Sequence, residues 1–110
     1  MNILFFKNEH DLLLWFQHHH QSDQGIWIKF DKTRMSTTLT AYEALHAALC
    51  YGWIDGQIKR IDETYYIKYF KKRTTKSIWS SLNKKYSNQL IKEHKMMKPG
   101  LKQVLQAIQI

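Results

Sequence analysis

A chain of 110 residues, 44% hydrophobic and 24% charged, has the length and apolar content of one domain spanning 1–110, which excludes disordered and low-complexity classes. Its net charge of +8 is uneven: residues 1–55 hold four Lys/Arg against six Asp/Glu, residues 56–110 thirteen against three. That asymmetry points to an anionic partner for the second half, or to a basic face that only aids solubility.

In chain order, Ile3-Leu-Phe-Phe6 reads as a short buried strand. Asn8 is placed to cap a helix over Glu9–His19, with Glu9 and Asp11 at its positive end and Leu12, Leu13, Trp15 and Phe16 on its apolar face. Gly25 opens a second strand in which Ile26, Ile28 and Phe30 alternate with Trp27, Lys29 and Asp31. Thr40 and Glu43 form a capping box before a helix that stops at Gly52, a residue suited to the left-handed position past a helix end.

Trp53–Ile61 and Tyr65–Lys71 then read as strands of a hairpin joined by Asp62-Glu-Thr64. A basic connector, Lys71 to Lys76, leads to Ser77, which reads as the cap of a long helix carrying Trp79, Leu82, Tyr86, Leu90 and Ile91. A last helix from Pro99 turns Leu101, Val104, Leu105 and Ile108 inward. The order βαβαββαα, a small four-stranded sheet with four helices, makes the class α+β.

Cys50 is the only cysteine, so no intramolecular disulfide can form. It sits at a helix C-terminus, where the helix dipole raises a thiol pKa, and reads as a core residue rather than a nucleophile. Asp55 and Asp62 lie on opposite faces of a regular strand, about 20 Å apart, too far for a carboxylate pair. Trp53, Asp55, Gln57 and Lys59 share one face of such a strand. With Arg60 they form a candidate ligand-binding row, or else brace the hairpin through Arg60 or Lys68. Adjacent histidines His18, His19 and His20 cannot converge on one metal, and no phosphate-binding glycine loop is present, so neither metal nor cofactor is expected.

A basic–aromatic band, Tyr65-Tyr-Ile-Lys-Tyr-Phe-Lys-Lys-Arg73, interleaves rings with cations. Aromatic rings on a sheet stack bases while cations hold phosphates. Lys68, Lys71, Lys72, Arg73, Lys76, Trp79, Lys84 and Lys85 are the candidate anion-contacting residues. The same alternation also serves a core, with Tyr65, Ile67 and Tyr69 on one side and Tyr66, Lys68 and Phe70 on the other. The apolar runs Ile3–Phe6 and Leu12–Phe16 are shorter than a secretory signal core or a membrane span, so a cytoplasmic protein without a transmembrane segment is expected.

Glu43-Ala-Leu45, Ala48-Leu-Cys-Tyr-Gly-Trp-Ile-Asp55, Gln57, Lys59-Arg60 and Asp62 together resemble the signature of the YdeI/OmpD-associated family, the bacteriocin-protection proteins. Phe70-Lys-Lys-Arg73, Lys76-Ser77, Trp79-Ser80, Asn83 and Met97-Lys-Pro-Gly-Leu101 are similar to that family's next block, and Trp15 and Gly25-Ile-Trp27 fit its start. The family pattern has prolines where this chain has Lys72 and Thr75, and an arginine where it has Ile78. Longer members carry a second, C-terminal module that nothing here matches, so the resemblance implies a short or truncated member. It implies a bacterial protein tied to bacteriocin or stress tolerance, with no defined reaction. The expected function is a non-catalytic binding domain for an anionic polymer such as single-stranded nucleic acid. A small enzyme using the Trp53/Asp55/Gln57/Lys59 face and a protein-interaction module are the alternatives.

Overall fold

The computed structural model describes residues 2–33, 38–74 and 78–108. Among these, the elements run β1 (Ile3–Leu4), α1 (Glu9–His19), β2 (Ile26–Asp31), α2 (Ala41–Cys50), β3 (Trp53–Arg60), β4 (Tyr65–Lys72), α3 (Ser81–Lys92) and α4 (Lys98–Ile108). One four-stranded sheet has the order β1-β2-β4-β3; β1 runs parallel to β2 and the other pairs are antiparallel. The fold is α+β with the predicted element order.

Local chemistry sets the helix starts. The Asn8 side chain accepts the Asp11 N–H at 2.9 Å, and both halves of the Thr40–Glu43 capping box form, satisfying N–H groups that a first turn leaves without partners. Helices α1 and α2 lie on one face of the sheet. Leu12 and Phe16 of α1 and Ala44, Ala47 and Ala48 of α2 pack with Ile26, Ile28, Phe30, Trp53 and Phe70. The alanines are spaced at three and four on α2, so the helix backbone approaches the large Trp53 and Phe70 rings closely. A second cluster, Leu45, Leu49, Cys50, Ile54 and Leu90, joins the far side of α2 to α3 and the start of β3.

Gly52 is the junction of the molecule. Its φ of +78° is open to glycine and strained for other residues. A Cβ there would lie 2.9 Å from the Pro99 carbonyl oxygen. The Gly52 N–H donates to Leu49 and its carbonyl accepts the Arg73 N–H at 2.9 Å. The end of α2, the start of β3, the end of β4 and the start of α4 therefore meet around one residue.

Three elements differ from expectation. Strand β1 is two residues long, and Ile3 and Phe5 are exposed rather than buried, because the chain leaves the sheet edge to reach the Asn8 cap. Helix α3 starts at Ser81, with the Ser80 hydroxyl accepting the Asn83 N–H at 3.1 Å. Trp79 precedes the helix because its ring stacks on Arg73, 3.8 Å from the guanidinium carbon; Ser77 lies outside the described residues. Helix α4 does not turn all its apolar residues inward: Leu101 and Leu105 are exposed, since the helix docks through its first turn on Gly52 and the α2 terminus. The Ile108 side chain is outside the described set.

Gly52→Ala should destabilise the fold by about 2 kcal/mol, from left-handed strain and the Pro99 contact. For a chain of this size that lowers Tm by roughly 10 °C in a calorimetric scan. A parent-like Tm would mean that the junction relaxes without cost.

Candidate nucleic-acid interface

The β3–β4 hairpin carries most of the predicted site residues, and its register decides where they point. Trp53, Ile54 and Asp55 face Lys72, Lys71 and Phe70; Ile58, Lys59 and Arg60 face Lys68, Ile67 and Tyr66. Between Asp55 and Ile58 the register slips, so β3 carries a bulge at Gly56 and Gln57. One extra residue reverses which side chains face which side beyond it. The expected row of Trp53, Asp55, Gln57 and Lys59 is therefore not a row: Trp53 and Asp55 lie on the helix-covered side, and Lys59 on the other. Gln57 is exposed in the bulge.

Trp53 is core. It is fully buried, meets Phe16 and Trp15 edge to face, and donates its indole N–H to the His20 carbonyl at 2.7 Å. Asp55 pairs with Lys68 at 2.7 Å, not with Arg60, and the two side chains are 22% and 17% exposed. Arg60 donates from Nε to the Asp62 carbonyl at 3.3 Å. Asp62 is a turn residue: its Oδ1 accepts the N–H groups of Tyr65 and Thr64, both at 2.8 Å. These bonds hold its carboxyl below the usual range.

The other face of the sheet stands outside both core clusters over most of its width. Ile26, Ile28 and Phe30 point into the core, so Trp27, Lys29 and Asp31 point away from it, opposite Tyr69, Ile67 and Tyr65 of β4. Trp27 and Tyr69 sit 5.1 Å apart between ring centroids. Lys59 lies over the Trp27 ring at 5.0 Å and Lys29 over Tyr65 at 4.0 Å, both in cation–π range. Ile67 falls between Lys29 and Lys59 across the strands and is buried under its neighbours rather than under a helix cluster. Gly25 gives the Tyr69 phenol its place: a Cβ there would overlap the ring. At the β3 start this face is closed, because Ile54 belongs to the cluster with α2 and α3.

The site thus keeps Lys59 and Lys71 from the predicted set and adds Trp27, Lys29, Tyr65 and Tyr69. The signal for Trp27 and Lys29 was the alternation of 26–31, which sets them opposite the buried isoleucines. Other predicted cations lie elsewhere. Lys68 is engaged by Asp55. Lys72 pairs with Asp23 at 2.8 Å and donates to the Gln21 carbonyl. Arg73 is buried against Trp79, and its burial lowers the guanidinium pKa while the charge of Asp55 works the other way. Lys84 and Lys85 are exposed on α3, and Lys76 lies outside the described residues.

Cys50 is 4% exposed in the second cluster, and burial, helped by the charge of Glu9, pushes its thiol up to about 11. The neighbouring histidine rings diverge: His19 stacks on Trp15, while His20 Nδ1 meets the Phe16 carbonyl. Among the described residues no group of three or more His, Cys, Asp or Glu is placed to hold a metal ion. No helix among them is long and apolar enough to cross a membrane. Sequence reasoning also passed over His46. Burial lowers its pKa, its ring lies between Tyr42 and Tyr86, and with Glu9, Glu43 and Cys50 it lines a cleft among α1, α2 and α3.

A family model described as "Domain of unknown function (DUF8412)" matches residues 4–103. The chain belongs to this family. The match takes in every described element except Ile3 of β1 and the last residues of α4, so the hairpin and the open sheet face are parts of the DUF8412 domain. Searches among curated proteins and among solved structures each returned no match.

Two measurements test the assignments within this DUF8412 chain. A double-mutant cycle on Asp55 and Lys68 should give a coupling of about 1 kcal/mol. The Asp23–Lys72 pair, whose carboxylate is 92% exposed, should show none; equal couplings would remove the structural role of Asp55. Alkylation of Cys50 in the native protein near pH 8 should run at least about a hundredfold slower than in free cysteine, because few thiols are ionised and access is closed. Rapid native labelling would contradict a buried, inert thiol.

Proposed function

We propose that the domain is a non-catalytic binding module for single-stranded nucleic acid, and that the open face of the sheet is its binding surface. One observation carries the reading: Trp27, Tyr65 and Tyr69 lie on the face away from the α1–α2 core, with Lys29, Lys59 and Lys71 on the same face. Flat rings accept stacked bases of any sequence, and lysines at their edges meet phosphates. Tyr65 and Tyr69 are four residues apart on β4, so the rings extend over about 13 Å of strand. The lysines now resting on Trp27 and Tyr65 would swing outward as bases take their place.

The enzyme alternative loses its main support, since the bulge divides Trp53 and Asp55 from Lys59 and the Asp55 carboxylate is engaged by Lys68. The exposed Leu101 and Leu105 of α4, with Met97 just before it, favour a protein-interaction module as the second reading. Kinship to the YdeI/OmpD-associated proteins, with a role in bacteriocin or stress tolerance in a bacterial cytoplasm, is proposed on the sequence resemblance alone.

Fluorescence titration with an unphosphorylated oligothymidylate tests the surface. Three lysines meeting phosphates give a log–log salt slope of about −2. Trp27→Ala and Tyr69→Ala should each weaken binding by roughly five- to a hundredfold, while Lys84→Ala and Lys85→Ala leave it unchanged. No binding at low salt, or binding that survives loss of both rings, would overturn the reading.

A further inference from the structure

At the end of the hairpin remote from its turn, on the helix-covered side of the sheet, a cavity of about 450 Å³ opens between β4 and α4. Its wall includes Gly52, Lys72, Arg73, Lys98 and Lys102, with no carboxylate among the lining residues. Lys72 already contacts the Asp23 carboxylate and the Gln21 carbonyl. The other three cations differ from it. Arg73 is 3% exposed, its Nη1 donates over a long 3.4 Å to the Ile78 carbonyl, and its Nη2 is buried without a partner among the described residues. Lys98 and Lys102 stand one helical turn apart on α4 and have no ion pair among the described residues.

Burying a guanidinium costs several kcal/mol unless its charge and N–H groups are met. Here Nη2 has no hydrogen-bond partner among the described residues, and Arg73 lines one cavity together with Lys98 and Lys102. The geometry points to a binding site for a phosphate group in this cavity, with Arg73 as the forked donor and Lys98 and Lys102 as flanking charges. A planar guanidinium matches two phosphate oxygens at once, and lysines supply point charges around a dianion. Recognition falls to the side chains, because the entry into α4 already engages α2: the N–H of Met97, just before the helix, donates to the Cys50 carbonyl at 3.2 Å, and Gly100 abuts the Leu49 and Cys50 carbonyls. The site lies on the other side of the sheet from the open aromatic face and stands independently of the nucleic-acid reading.

Titration of the full chain with inorganic phosphate, followed by amide NMR at constant ionic strength against chloride, tests it. Phosphate should shift the amides of Arg73, Lys98 and Lys102 and raise Tm. Arg73→Gln should abolish the effect. Because that variant loses a buried side chain, the exposed pair Lys98→Gln/Lys102→Gln is the decisive one: it should fold like the parent and bind phosphate at least tenfold more weakly. A nucleoside monophosphate arm separates the sources, since tighter binding than inorganic phosphate marks an organic monoester as ligand and equal binding marks free phosphate. The double variant should still bind unphosphorylated oligothymidylate like the parent. Absence of phosphate shifts at millimolar concentration, or parental affinity in the double variant, would overturn the proposal, and loss of oligothymidylate binding there would overturn its independence from the sheet.

Discussion

The close approach of four chain segments at Gly52 is the constraint on which the rest depends. A helix end, two strand ends and a helix start can share one point only where no side chain stands between them and the backbone can turn left-handed. The Gly52 N–H closes α2, its carbonyl holds the first residue past β4, and its bare Cα lies against Pro99. Trp53 follows at once and enters the core, where the His20 carbonyl takes its indole N–H. The hairpin is thereby tied to α1 as well as to α2.

From that anchoring follows the one-sidedness of the sheet. Both α1 and α2 are drawn onto the face that Trp53 and Phe70 enter, and the later helices are held near the β3 start through Ile54, Leu90 and Pro99. The opposite face, across β2 and β4, is left to its own side chains. Aromatic rings and lysine stems cover one another there, which is how amphipathic side chains shield a half-open sheet. The surface is consequently flat, basic and ring-bearing, while the pocket beyond the strand ends is basic and recessed. Two basic surfaces of different shape arise from one excess of cations.

The bulge at Gly56 and Gln57 settles the fate of the hairpin's charges. Before it, Asp55 stays on the helix side beside Lys68, and the pair neutralises itself in a half-buried setting. After it, Lys59 reaches the open face and lies over Trp27. Without the extra residue Lys59 would be turned toward the helices, and the open face would lose one of its cations. A one-residue irregularity thus sorts Lys59 into the candidate interface, while Lys68 meets Asp55 ahead of it.

What the sequence by itself determined was local. The Asn8 cap, the Thr40–Glu43 box, the turn at Gly52 and the alternation of Ile26, Ile28 and Phe30 all rest on groups within four residues of one another, so their chemistry is legible in the order of residues. The α+β class and the element order follow from the same periodicities. Only the tertiary structure decided which face of β4 is covered, because Tyr65–Ile67–Tyr69 and Tyr66–Lys68–Phe70 are both plausible core rows until α1 and α2 settle on one of them. It also decided that Arg73 is buried, that α4 leaves Leu101 and Leu105 exposed, and that the row from Trp53 to Lys59 is broken. Each depends on segments far apart in the chain, such as Trp53 with His20 or Gly52 with Pro99, whose contact energies no local pattern encodes.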